Sequence, residues 1–223
     1  MRVLLTGFEP FGGSAVNPSE KVVRRLARRP PAGLAIRAVV LPVAGGEAVG
    51  ALAAAMDKFD PDAVVCLGES SRATGLLFER VAINLRDYRI PDNRGASVCD
   101  QPVVEGGPVA YFSTLPVRLM AAAAESVGVP ATLSLSAGTF LCNEVMYALL
   151  HAVHARPRLM PAGFIHVPQL PEQTTGLRDR ASMDTPTVER GLRAALGVLV
   201  AAPAPPRATR RRRPSRSCRP PWS

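Results

Sequence analysis

The chain has 223 residues, room for one α/β domain of about 200 residues and a short extension. Hydrophobic residues make up 47% of it but aromatics only 5%, so its core must be built mostly of Ala, Val and Leu. Seven of the nine net positive charges are arginines between Arg207 and Arg219, which leaves +2 for residues 1–206 and excludes a generally basic, nucleic-acid-coating body. No apolar run approaches the roughly 18 residues of a membrane span. The opening Met1-Arg2-Val3-Leu4-Leu5 is too short for a secretory leader and lacks a small-residue cleavage site. A cytoplasmic protein is expected.

Val3 to Phe8 reads as a first strand, broken by Glu9-Pro10-Phe11-Gly12-Gly13. Asn17-Pro18-Ser19 opens a helix whose apolar face is Val22, Val23 and Leu26. Ala35–Val43 is a second strand, Ala48–Phe59 a second helix, and Ala63–Leu67 a third, fully apolar strand ending at Gly68. Near-continuous apolar strands alternating with helices predict a mostly parallel sheet covered on both faces, a three-layer α/β/α sandwich. Leu76–Asn84 is a fourth apolar segment with one carboxylate, Glu79, set inside it, and residues 96–110 read as loop or hairpin. A helix over about 116–126 and a strand at 131–136 follow, then a helix starting near Phe140, a strand at 163–167 stopped by Pro168, and a final helix over about 187–200. Residues 1–202 form the expected domain. Residues 203–223, rich in Pro, Ala, Arg and Ser, cannot build a core and are expected to be disordered, with only non-specific attraction to polyanions.

The four cysteines, Cys66, Cys99, Cys142 and Cys218, show neither CxxC pairing nor zinc spacing, so free thiols and no metal or cofactor are expected. Cys66 lies in an apolar strand and belongs to the core. Cys142 falls in the first turn of its helix, where unpaired backbone N–H groups and the helix dipole favour a thiolate. It reads either as a nucleophile or as a small buried apolar residue. His151 and His154 lie too far along that helix to reach the thiol. His166, near the end of its strand, is the best-placed base. Glu79 is the candidate to orient His166, with an ion pair to Arg80 or Arg72 as the structural alternative.

Four segments, in order, carry a resemblance. They are Thr6-Gly7-Phe8-Glu9-Pro10-Phe11-Gly12-Gly13 with Asn17-Pro18-Ser19; Phe78-Glu79-Arg80-Val81-Ala82-Ile83-Asn84 with Ile90-Pro91-Asp92-Asn93; Ser136-Ala137-Gly138-Thr139-Phe140-Leu141-Cys142-Asn143; and Gly163-Phe164-Ile165-His166-Val167-Pro168 with Leu170-Pro171-Glu172-Gln173. Together they resemble the pyroglutamyl peptidase I family. The resemblance implies a cysteine peptidase that removes N-terminal pyroglutamate from peptides through Cys142, His166 and Glu79. It also implies a substrate pocket at Phe8, Phe11, Ile90, Phe140 and Leu141, and assembly as a dimer or tetramer. Backbone N–H groups at the start of the Cys142 helix are expected to hold the oxyanion, with Arg89 as a candidate helper. Two positions depart from the family pattern. Glu69 stands where a Gln is usual and can accept from a lactam N–H but not donate. Leu77 replaces a Ser or Thr. These departures keep two other readings open: an amide or acyl hydrolase with a different substrate, and an inactive relative whose tail binds polyanions.

Overall fold

The computed structural model describes residues 1–157, 160–177 and 180–201. The expectation of disorder after residue 202 lies outside the described residues. In chain order the elements are β1 (Arg2–Phe8), α1 (Pro18–Arg28), β2 (Ala35–Leu41), α2 (Glu47–Phe59), β3 (Ala63–Glu69), β4 (Leu76–Glu79), β5 (Val81–Ile83), β6 (Ala110–Phe112), α3 (Val117–Ser126), β7 (Ala131–Ser134), α4 (Leu141–His154), β8 (Ala162–Val167), α5 (Pro171–Thr174) and α6 (Thr185–Ala201).

The main sheet has six strands in the order β2-β1-β3-β8-β4-β7. The strands β2, β1, β3 and β8 are mutually parallel, whereas β4 runs against β8 and β7 runs with β4. The reversal has a simple cause. Only Ser70–Gly75 connects β3 to β4, far short of the dozen or so residues that a parallel crossover needs. The sheet is therefore mostly parallel, as expected, with a reversed edge.

Side-chain alternation sends Val3, Leu5, Val65, Leu67, Phe78 and Ile165 to one face, where α1, α3 and α6 cover them. Leu4, Val64, Cys66, Ala162 and Phe164 face the other way, under α2 and α4. This is the predicted three-layer sandwich, and Cys66 is fully buried in it. On α4, Val145, Met146, Leu149, Leu150 and Val153 are at most 1% exposed. Each such aliphatic burial contributes about 1.5–3 kcal/mol, which anchors the helix firmly against β8 and β3.

The structure divides one apolar segment and adds a short helix. The apolar segment 76–84 is not a single strand. It divides at Arg80, and Val81–Ile83 leaves the main sheet to pair antiparallel with β6, which begins where the stretch read as loop or hairpin ends. Asn143 on α4 causes the departure: its side chain accepts from Ile83 N–H at 3.0 Å and donates to the carbonyls of Ile83 and Leu85 at 2.9 Å each. The short α5 was not anticipated. Its first turn is closed by Gln173, whose Oε1 accepts from Leu170 N–H at 2.8 Å.

Candidate active site

His166 is the penultimate residue of β8 and shares a face with Phe164 and Ala162. Its antiparallel partner on β4 is Leu77, so Glu79 lies on the same face as a diagonal neighbour across the ladder. The two side chains meet there. His166 Nδ1 and Glu79 Oε1 are 2.8 Å apart, and Glu79 is wholly buried. Glu79 thus takes the histidine in preference to Arg80 or Arg72. Its second oxygen, Oε2, has no hydrogen-bond partner among the described residues.

Cys142 is the second residue of α4. Gly138, at a φ of 79°, turns the chain into this helix, and Thr139 ties the turn to Asp87 through paired backbone and hydroxyl bonds. Phe140 occupies the N-cap without a capping side chain, so the first-turn N–H groups are left to whatever enters the site. The sulfur sits against β3 at Gly68. A Cβ there would lie 2.8 Å from Cys142 Sγ and 2.7 Å from the Phe164 ring, a gap that only glycine leaves open.

Cys142, His166 and Glu79 line one cavity of about 960 Å³. Its other walls include Phe11, Glu69, Arg72, Arg89, Ile90, Phe140, Gln169 and Arg180, with Leu77 beside the histidine. Phe11 and Phe140 approach with ring centroids 6.3 Å apart, and Tyr88 meets Phe140 edge-on at 4.8 Å. Two sequence expectations fail the geometry. Phe8 is 3% exposed and Leu141 1%, and neither lines the cavity. Phe8 instead packs behind the site, its ring 6.5 Å from Phe164, which in turn lies 4.9 Å from the His166 ring. Leu141 is turned into the core, while Cys142, about 100° further round the helix, faces the cavity. His151 and His154 lie elsewhere, against Tyr111.

Several supporting residues were not singled out from sequence. Glu69 is held by two carboxamides: Gln169 donates to Oε1 and Gln173 to Oε2, each at 2.9 Å. Gln173 also reaches Ser14 Oγ at 3.1 Å. The Leu170-Pro171-Glu172-Gln173 motif was visible, but nothing in its spacing pointed to Glu69. Outside the cavity lining, the buried Glu144 carboxylate accepts from Tyr88 Oη and, at 2.8 Å, from Gly46 N–H. Burial, then the carboxylate beside it, push the Tyr88 hydroxyl well above its ordinary pKa. Asp92 takes Gly45 N–H at 2.9 Å, and Glu9 takes Val43 N–H and the Asn93 amide, both at 2.9 Å. Together these contacts fix the loops carrying Phe11 and Ile90.

Burial of His166 disfavours the imidazolium, but the Cys142 sulfur and the Glu79 carboxylate more than offset it and raise its pKa from 6.5 to about 10. Both neighbours therefore favour the protonated ring. Between those two values the folded protein holds more proton at this site than the unfolded chain does. Stability from it is full below about pH 6.5 and is lost as the pH rises toward about 10. Melting temperature is expected to fall across that window. Cys142→Ala, which removes one of the two groups that raise the imidazole, is expected to make the fall shallower. Parallel wild-type and Cys142→Ala profiles in thermal melts would contradict this account of the site.

Comparison with known proteins gives a consistent result. The family model described as pyroglutamyl peptidase matches residues 1–202. The pyrrolidone-carboxylate peptidase of Streptomyces coelicolor is 47% identical over 203 residues, covering 91% of this chain and 94% of its own. That of Gloeobacter violaceus is 47% identical over 200 residues, covering 89% and 97%. Among solved structures, Bacillus amyloliquefaciens pyroglutamyl peptidase I superposes with a TM-score of 0.86 at 37% identity, over 90% of this chain and 97% of the other. A mutant pyrrolidone carboxyl peptidase from Pyrococcus furiosus gives 0.86 at 36%, over 90% and 99%. On the extent of these matches, the chain belongs to the pyroglutamyl peptidase family, a family of cysteine-type peptidases.

Proposed function

We propose that the protein removes N-terminal pyroglutamate from peptides, with Cys142 as nucleophile, His166 as the proton-transfer group and Glu79 as the residue that orients it. The observation that carries this reading is the 2.8 Å contact between His166 and Glu79 in the cavity that Cys142 opens into. A cysteine nucleophile needs a base, and the base needs a third group to fix its ring. The Cys142 thiolate attacks the pyroglutamyl carbonyl. First-turn N–H groups of α4 hold the resulting oxyanion, with Arg89, which lines the same cavity, as the helper. As the C–N bond breaks, His166 gives its proton to the departing amine, leaving a thioester on Cys142. The now neutral imidazole takes a proton from water, hydroxide attacks the thioester, and the thiolate leaves with His166 protonated again.

The ring of pyroglutamate is flat and uncharged. Phe11, Ile90 and Phe140 supply apolar walls for it, and Glu69, locked by Gln169 and Gln173, supplies an acceptor for the lactam N–H. The Glu69 carboxylate also admits a competing reading, in which the ring nitrogen is cationic and the acyl group is prolyl. A nucleophilic thiol must stay reduced, and Cys66, Cys99 and Cys142 are all unpaired, which suits a cytoplasmic enzyme.

Release of a fluorogenic amine tests the proposal. Wild type is expected to turn over the pyroglutamyl amide and not the prolyl amide, and Cys142→Ala neither. Turnover of the prolyl amide alone would transfer the assignment to the competing reading. Glu69→Ala is expected to raise KM for the pyroglutamyl amide about tenfold or more, the loss of one hydrogen bond to a charged group, with a smaller change in kcat. Gly68→Ala displaces the sulfur and is expected to lower kcat/KM by about two orders of magnitude while circular dichroism stays native. An unaffected Gly68→Ala would refute the placement of Cys142.

A further inference from the structure

Two carboxylates line the cavity, Glu69 and Glu79, and both are already engaged. Glu69 has an amide on each oxygen, and Glu79 holds the histidine. Against them stand the arginines Arg72, Arg89 and Arg180. Arg89 is the residue proposed above to help hold the oxyanion. Arg72 and Arg180 are exposed, and among the described residues neither takes part in an ion pair. They are also brought together. Arg180 Nη1 donates to the carbonyl of Ser71 at 3.1 Å, which ties its head to the loop on which Arg72 is the next residue. Two like-charged side chains that line one cavity favour an anion between them.

Both line the cavity that also holds Cys142, His166 and Glu69. Pyroglutamate is the first residue of its peptide, so nothing precedes it and only the leaving chain extends toward the cavity mouth. Arg72 lies three residues from Glu69 along the loop, a span of no more than about 10 Å. That is within the reach of a long side chain acting on the residue just after the scissile bond.

We infer, resting on the peptidase reading above, that Arg72 and Arg180 form a carboxylate-binding subsite for the leaving group. The preferred substrates carry a carboxylate on the residue immediately after pyroglutamate. That carboxylate is either an acidic side chain or, in a pyroglutamyl dipeptide, the terminal carboxylate itself.

Four peptides test this: pyroglutamyl-alanine amide, pyroglutamyl-alanine with its free carboxylate, pyroglutamyl-glutamate amide and pyroglutamyl-lysine amide. At low ionic strength, kcat/KM for at least one of the two anionic substrates is expected to exceed that of the neutral amide by roughly two- to fivefold per charge contact, and the lysine peptide to fall below it. Whichever anionic peptide gains identifies the source of the carboxylate. The advantage should shrink at ~0.5 M salt. In the double variant Arg72→Gln/Arg180→Gln, the ratio of anionic to neutral turnover should approach one. Equal turnover of all four peptides by wild type, or a ratio unchanged in the double variant, overturns the subsite and leaves the peptidase reading in place. Failure of all four to react overturns the peptidase reading itself.

Discussion

The site depends on β4 running against β8. Had the chain crossed over to lay β4 parallel, Glu79 would have met β8 in a different register, and the diagonal contact with His166 would not form. The short Ser70–Gly75 connection forbids that crossover, so the position of a catalytic candidate follows from a loop too short to do anything else. The contact is also energetically demanding. A wholly buried carboxylate with one oxygen unpartnered is costly, and the imidazole facing its other oxygen, whose protonated form the carboxylate favours, offsets that cost. The sheet, the pair and the protonation state of His166 therefore stand or fall together.

Around this pair the structure is built from two kinds of contact. Apolar packing sets the depth of the site: Phe8 presses on Phe164, Phe164 on His166, and α4 is sealed to the sheet by its aliphatic face. Polar contacts set its width. Glu9, Asp92 and Glu144 each bind backbone N–H groups of the segment from Val43 to Gly46, and through Asn93 and Tyr88 they hold the opposing loops at a fixed separation. Nearly every acidic residue near the cavity spends its charge on backbone or on side chains, and among the described residues Arg72 and Arg180 take part in no ion pair.

Much of this was legible in the sequence, for identifiable reasons. Apolar runs bounded by Gly and Pro located the strands, helix periodicity located α1, α4 and α6, and an Ala-rich run located α2. The division of residues 76–84 was not legible, because the run stays apolar across Arg80 and the residue that draws β5 away, Asn143, lies far along the chain. The reversed edge of the sheet was legible in principle from the length of the 70–75 connection. In the site, Cys142, His166 and Glu79 stand out as a helix-start thiol, a strand-end imidazole and a carboxylate among apolar residues. Phe8 and Leu141 were misread because neighbours in sequence point in different directions. Phe8 alternates with Gly7 along a strand, and Leu141 precedes Cys142 on a helix, so proximity to a motif does not give access to the cavity. The clamp on Glu69 joins positions about a hundred residues apart and leaves no local pattern.

That clamp has a further consequence. The groups proposed to break the bond are carried by α4, β8 and β4, deep in the sandwich, where almost any replacement disturbs packing. The Glu69 carboxylate is oriented from Gln169 and from the four-residue α5, half-buried side chains on a connection that adds little to the core. On the proposed roles, recognition and bond cleavage sit on parts of the chain with very different tolerance for change. A lineage of such proteins can vary residues 69–72 and 169–173, and so explore new acyl groups, while its hydrolytic machinery is handed down intact.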